Sequence, residues 1–180
     1  GDGYWMNNTV IETYNYPAIQ IVPHDPISVT IGWNMIGGYE TSPTIIALKA
    51  ANPQIIGSVF AYNGTQYVPA TNLVPGYGYW ANVTNTNPIV IPDAISKGSE
   101  EVVEMFKEDW GRIVITDSRG ISTTLYAVKG EVNLDEYSMP PLPPSGAFDI
   151  RFSSQRIAED INSSVQSIDM VGVRYPITVR

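Results

Sequence analysis

Residues 55–68 read IIGSVFAYNGTQYV, which places two runs of strand-forming residues on either side of Asn63-Gly64. An Asn-Gly pair between such runs is the strongest short signal for a β-hairpin, because a two-residue type I′ turn needs positive φ at both central positions. We therefore expect strands over Ile55–Tyr62 and Thr65–Val68, joined by a two-residue turn.

The sequence on both sides of this hairpin predicts the rest of a first β unit. Val29–Ile36 and Gly76–Val83 have the composition of further strands. Between them, a Ser-Pro-Thr run at 42–44 precedes the apolar residues of one short helix near residues 43–50, with Ser42 as its N-cap. That helix should end before Pro53.

A second β unit is predicted after a polar, glycine-containing stretch at 97–101. The proline-rich run 139–144 cannot be a central strand, because proline lacks the backbone donor. We expect an all-β fold of two tandem antiparallel β-sandwich-like modules, 1–97 and 98–180. The strands expected in the second module are Val102–Phe106, Arg112–Thr116, Ser122–Val128, Phe148–Phe152, Arg156–Ala158, Val165–Val171 and Arg174–Val179.

The composition of the chain argues against several classes of binding partner. The formal charge of −8 disfavours nucleic acid and anionic lipid, because both would repel the chain. No apolar run approaches the roughly 20 residues that a membrane-spanning helix needs. The many Asn, Thr and Tyr residues lean toward an extracellular protein.

The first residues of the chain recur 75 positions later. Gly1, Gly3, Tyr4 and Trp5 return as Gly76, Gly78, Tyr79 and Trp80. We interpret 29–92 as a full unit, and 1–23 as the closing strands of a preceding unit whose opening strands are absent. Because uncovered strand edges are costly in water, these strands should pair with the rest of this chain or with another molecule. The residues expected to form the assembly strands are Tyr4, Trp5, Val10, Ile11, Ile19 and Ile21.

Four segments together resemble a known family. They are Gly32-Trp33-Asn34-Met35-Ile36-Gly37, Pro75-Gly76-Tyr77-Gly78-Tyr79-Trp80, Pro140-Pro141-Leu142-Pro143-Pro144 and Gly146-Ala147-Phe148-Asp149-Ile150-Arg151-Phe152. Across about residues 30–180 the chain resembles the C-terminal region of large cargo proteins of the type IX secretion system, of the Bacteroidetes and Ignavibacteria type. In that family the region precedes a sorting domain that is removed during surface delivery. The resemblance implies a bacterial cell-surface location and β modules, and it carries over no catalytic residue.

Aromatic residues are the candidates for ligand binding. An exposed, flat set of tyrosines could stack on sugar rings, and the residues proposed for such a platform are Tyr62, Tyr67, Tyr77 and Tyr79. The two tryptophans of the repeat, Trp5 and Trp80, are instead expected in the core.

The sequence offers little for catalysis or metal binding. His24 beside Asp25 is expected to be an exposed linker residue, because no nucleophile motif or second histidine accompanies it. The acidic run at 100–109 is expected to be a solvated surface. Asp93, Asp117, Asp135 and Asp149 could offer oxygens to calcium, but no loop has the required ligand spacing. We expect no enzyme activity, no metal and no cofactor.

Together these observations predict a non-enzymatic extracellular structural or surface-assembly protein. Its partners would be copies of itself, joined head-to-tail into filaments by strand addition, or adjacent domains of a larger precursor. The N-terminal strands could instead fold back on the module that begins near Ile31. The alternative function is a carbohydrate-binding accessory region of a secreted enzyme, with glycans as partners.

Overall fold

A computed structural model describes residues 24–93, 106–162 and 164–180. The described part of the chain is mostly β with a single α-helix, which confirms the predicted all-β fold. The proposed assembly residues Tyr4, Trp5, Val10, Ile11, Ile19 and Ile21 lie outside the described residues. Most of the predicted strand Val102–Phe106 and the boundary expected near 97 also lie outside them.

The first unit is a four-stranded antiparallel sheet with one helix against it. Its elements are β1 (Gly32–Gly37), α1 (Ile45–Ala51), β2 (Ile55–Tyr62), β3 (Tyr67–Pro69) and β4 (Gly78–Val83). The strand order is β1-β4-β2-β3, so β4 and β2 are central and β1 ends the sheet. Each predicted strand of this unit is present, with ends shifted by up to three residues.

The β2–β3 hairpin closes through a four-residue loop, so the predicted two-residue turn was wrong. The last strand pair is Tyr62 with Tyr67, and the Asn63 N–H donates to the Gln66 carbonyl at 3.1 Å. The Asn63 side-chain oxygen accepts from the backbone N–H groups of Thr65 and Gln66 at 3.0 and 2.9 Å. Because this side chain organises the loop, only Gly64 needs positive φ, at +89°.

The helix begins two residues later than predicted. Its N-cap is Thr44, whose hydroxyl accepts from the Ala47 N–H at 3.1 Å, so the expected cap at Ser42 was wrong. Thr44 is held in extended backbone by its bridge to Asn72, which puts its side chain at the helix start. The helix ends at Ala51, before Pro53 as predicted.

The core of the first unit lies between one face of the sheet and the helix layer. Alternate residues of β4 point into it, and Tyr79, Ala81 and Val83 are all at most 4% exposed. They pack with Leu48 of α1 and with Ile89 from the segment after β4.

The second unit is a sandwich of a four-stranded and a two-stranded sheet. Its strands are β5 (Gly111–Thr116), β6 (Ser122–Ala127), β7 (Asp149–Phe152), β8 (Ala158–Glu159), β9 (Ile168–Val171) and β10 (Thr178–Val179). The orders are β10-β5-β6-β8 and β7-β9, antiparallel except for the short β6–β8 pair. Ile115 and Leu125 of the larger sheet pack against Phe148 and the β7 residues Ile150 and Phe152. The proline-rich run forms no strand, as predicted.

The two units touch along the β2–β3 hairpin. The Phe148 N–H donates to the Thr65 carbonyl at 3.2 Å. The Gln66 amide donates to the Ser122 carbonyl and accepts from the Thr123 hydroxyl, both at 3.2 Å. A 3₁₀ helix at Leu134–Tyr137 packs against β2.

Candidate functional site

The face of the first sheet that points away from its core carries a row of large side chains. Strand register places Met35 of β1 opposite Trp80 of β4, and Trp80 opposite Phe60 of β2. Trp33 contacts Phe60 edge-to-face, with ring centroids 5.9 Å apart. Residues paired across strands share a face, so these side chains lie together on one face of the sheet, where Met35 is 61% exposed and Phe60 is 1% exposed.

Trp80 belongs to this outer face, so its expected place in the core was wrong. Its neighbour Tyr79 points inward and is 4% exposed, and alternation along β4 then sends Trp80 outward. The Trp80 ring is half-buried and its indole N–H donates to the Tyr67 hydroxyl at 3.2 Å. Burial raises the pKa of Tyr67, while the hydrogen bond from Trp80 and the nearby Arg151 charge act in the opposite direction.

The four tyrosines proposed as a platform do not form one flat surface. Tyr62 and Tyr67 meet at 75° with centroids 5.8 Å apart. Tyr77 is 64% exposed but lies in the turn before β4. Tyr79 is buried, its hydroxyl accepts from the Val74 N–H at 2.7 Å, and burial raises its pKa. A buried ring cannot stack on a sugar, so the proposed role of Tyr79 was wrong.

Tyr62 does line a groove between the two units. The groove has a volume of about 390 Å³, with the hairpin loop at Thr65 on one side and Ser145 and Phe148 on the other. Arg119 also faces it, but its Nε and Nη2 are already bonded to the Asp117 carboxylate, and Nη2 also to the Gly172 carbonyl. The groove therefore offers one exposed aromatic ring beside polar groups.

The edge of β1 is the second candidate site. The Thr84 N–H donates to the Gln54 carbonyl on the β2 side at 3.0 Å, so Val83, Ala81 and Tyr79 direct their backbone groups toward β1. The β1 residues paired with them, Gly32, Asn34 and Ile36, direct their backbone N–H and C=O groups toward β4. The backbone groups of the β1 residues between them therefore point away from the sheet. The residues with these outward peptide groups are Trp33, Met35 and Gly37.

In the described part of the chain, nothing protects this edge in the way that is usual for the last strand of a sheet. The sequence GWNMIG contains no charge and no proline, and no strand pairs with its outer side among the described residues. Met35 and the preceding Ile31 are 61% and 70% exposed. Natural proteins usually block such edges with lysine, proline or a covering loop, so an open one is suited to pairing with another strand.

The buried acidic residues form structural ion pairs that the sequence reading did not foresee. Asp149 bonds Arg151 through both carboxylate oxygens at 2.6 and 2.7 Å, and both residues are at most 3% exposed. Asp117 is also paired with an arginine, since Nε and Nη2 of Arg119 both bond one of its carboxylate oxygens. Within the described ranges no group of three or more His, Cys, Asp or Glu side chains could hold a metal ion.

His24 makes more contacts than we expected for a linker residue. Its ring stacks on Tyr39 at 3.7 Å, and its Nε2 lies 2.8 Å from the Glu40 carboxylate. The hydrogen bond from His24 lowers the pKa of Glu40. These contacts fix residue 24 beside the loop that follows β1.

The chain matches no protein-family model, no curated protein and no solved structure. In the described part of the chain no helix is long and apolar enough to cross a membrane.

Proposed function

We propose that the chain is a non-enzymatic structural module of a bacterial surface protein, which joins neighbouring copies by strand addition. The observation that carries this proposal is the uncharged edge of β1, with which no strand pairs among the described residues, and the exposed Met35 beside it. β1 is six residues long, whereas the other strands that end a sheet in the described ranges have two to four. A long edge can form a continuous ladder with an added strand.

Extracellular location is part of the same proposal. It rests on the composition and on the resemblance to type IX secretion cargo described above. A head-to-tail contact would use two different surfaces on each copy, so repetition of the contact extends a filament. Adjacent domains of a larger precursor could be joined by the same edge.

Light scattering over a concentration series tests the proposal with an edge-blocking variant. We expect the wild-type mass to rise with concentration above the 19.8 kDa monomer. Met35→Lys should hold the protein at the monomer mass, because an edge lysine disfavours strand addition. Val90→Lys is the matched control, since Val90 is 49% exposed and lies away from this edge. A wild-type chain that stays monomeric throughout would refute the proposal.

The groove at Tyr62 favours a second candidate function, a carbohydrate-binding accessory region. An exposed ring next to polar groups is a common arrangement for sugar recognition. A glycan screen should then give signals that Tyr62→Ala abolishes and Tyr77→Ala leaves intact. Equal loss in both variants, or no signal for the wild type, would remove this candidate.

A further inference from the structure

The central strand β4 has a second copy in the sequence at the N-terminus. Residues 1–9 and 76–84 are identical at six of nine positions. The shared residues are Gly1, Gly3, Tyr4, Trp5, Asn7 and Thr9, which correspond to Gly76, Gly78, Tyr79, Trp80, Asn82 and Thr84. Since β4 spans Gly78–Val83, the segment that corresponds to the whole strand is 3–8.

The fold shows what this sequence pairs with. β4 runs antiparallel to all six residues of β1, with Tyr79 opposite Ile36, Trp80 opposite Met35 and Gly78 opposite Gly37. The hexapeptide is therefore already matched to the side chains of β1 on both faces of the sheet. Residues 3–8 share four of these six residues, and a segment so similar to β4 is suited to the other edge of the same strand.

Two differences argue against replacement of β4 by residues 3–8. Met6 corresponds to Ala81, which is fully buried, and a methionine there would overfill the core. Asn8 corresponds to Val83, which is 1% exposed, so an amide there would lose its hydrogen bonds to water. At the open edge of β1 neither residue has to enter the existing core.

We infer that residues 3–8 of a second copy pair antiparallel with the open edge of β1, in the register that β4 uses on the other edge. Trp5 then lies opposite Met35 and Gly3 opposite Gly37. Met35 is covered on both sides, by Trp80 within the chain and by Trp5 of the second copy, and sulfur–aromatic contacts favour this arrangement. This inference rests on the proposed function and names the donor strand and its register.

The position of His24 shows the path that the chain's own segment would need to reach the same edge. His24 is fastened to Glu40 and Tyr39, which follow the C-terminal end of β1. In the antiparallel register, residue 8 lies at the opposite end of β1, beside Gly32. Residues 9–23 can extend to about 50 Å and are long enough to return along the roughly 20 Å of β1, so pairing within one chain is the competing outcome that the double-cysteine variant detects.

Engineered disulfides test the register, because the chain contains no cysteine. Gly3→Cys and Gly37→Cys leave Trp5 and Met35 intact, and a Cβ at Gly37 meets nothing closer than the Tyr77 carbonyl at 3.9 Å. Hydrogen-bonded antiparallel pairs have Cα atoms about 5.5 Å apart, within the range for a disulfide. Thr9→Cys is the matched control, since six residues of strand would place it roughly 20 Å from Gly37.

Full-length chains that carry different tags and one cysteine each are mixed and oxidised. We expect Gly3→Cys with Gly37→Cys to give a cross-linked heterodimer at least tenfold more abundant than Thr9→Cys with Gly37→Cys. If light scattering shows assembly but the two cysteine pairs cross-link equally, the inference is overturned and the proposed function still stands. The double variant Gly3→Cys, Gly37→Cys tests pairing within one chain. If its disulfide forms within single chains at high dilution, and if the wild-type protein stays monomeric, the inference and the proposed function are both overturned.

Discussion

Gly57 of β2 lies with its α-carbon against the main chain of Glu136 in the 3₁₀ helix of the second unit. A Cβ at this position would lie 3.0 Å from the Glu136 carbonyl carbon and still closer to its oxygen. Gly57 also has φ of +64° and lies where the β2–β4 register shifts between Ile56 and Phe60. The contact therefore needs glycine for its backbone conformation and for the close approach of the two units.

Gly57→Ala should lower the free energy of unfolding by about 3 kcal/mol, since left-handed backbone costs roughly 1–2 kcal/mol and overpacking about 1–3 kcal/mol. Urea denaturation followed by tryptophan fluorescence measures the change. Gly64→Ala is the control, because Gly64 has φ of +89° but open space around it. It should lose only about 1 kcal/mol. Equal losses in the two variants would mean that the contact with Glu136 contributes nothing.

The Asp149–Arg151 pair is the most deeply buried charge in the described residues. Besides Asp149, the Arg151 guanidinium bonds the Pro140 carbonyl at 2.7 Å and the Gln155 side chain at 3.2 Å. It thereby ties β7 to the proline-rich run and to the turn after β7. Removal of one partner would leave the other charge buried and uncompensated.

Asp149→Asn should destabilise the chain by about 3–5 kcal/mol, because Arg151 keeps its charge inside the core. Asp135→Asn is the control, since the Asp135 side chain that bonds Arg156 is 72% exposed. Its effect should stay below about 1 kcal/mol. Thermal unfolding of both variants measures the difference in stability. A similarly small loss of stability in both would show that the Arg151 charge is accessible to water in solution.

Much of the fold was predictable because its signals are local. Strand β2 has both ends where the run of strand-forming residues and the Asn63-Gly64 pair placed them. The helix end at Ala51 followed from Pro53. Strands β5 and β6 lie within one residue of the predicted strands Arg112–Thr116 and Ser122–Val128.

The candidate sites were less predictable because they depend on register and on contacts between units. Composition alone could not tell which of Tyr79 and Trp80 points inward, since this depends on which face the helix covers. The burial of Arg151 likewise depends on carbonyl and carboxylate partners up to eleven residues away. The open edge of β1 follows from the strand order, and the sequence of β1 shows only that the edge is uncharged.

Asn52 connects the end of the helix to the segment after β4. Its side-chain amide donates to the carbonyls of Leu48 and Val90 and accepts from the Val90 N–H, all within 2.8 Å. Asn52→Ala should cost about 2–3 kcal/mol, because it leaves buried backbone groups without partners. Asn72→Ala, which loses one bond of 3.3 Å to Ser42 at the surface, should cost less than about 1 kcal/mol in the same denaturation assay. Equal costs would argue against a bridging role for Asn52.

Asp117 links the β5–β6 turn to residue 174. Its carboxylate accepts from the backbone N–H groups of Arg119, Ile121 and Arg174 and from the Arg119 guanidinium. Burial alone would raise the pKa of this carboxyl, but the hydrogen bonds outweigh it and lower the pKa from 3.8 to about 2. The folded chain therefore holds the charged form more strongly than the unfolded chain does.

A lowered folded-state pKa means that Asp117 stabilises the fold above pH 3.8 and loses this contribution as the pH falls toward about 2. We expect the stability difference between wild type and Asp117→Asn to be largest near neutral pH and to shrink through this window. Urea denaturation at a series of pH values measures it. Asp109→Asn, at an exposed carboxyl, should track the wild type across the same series. If the difference for Asp117→Asn were constant with pH, the ionised carboxylate would not be the stabilising species.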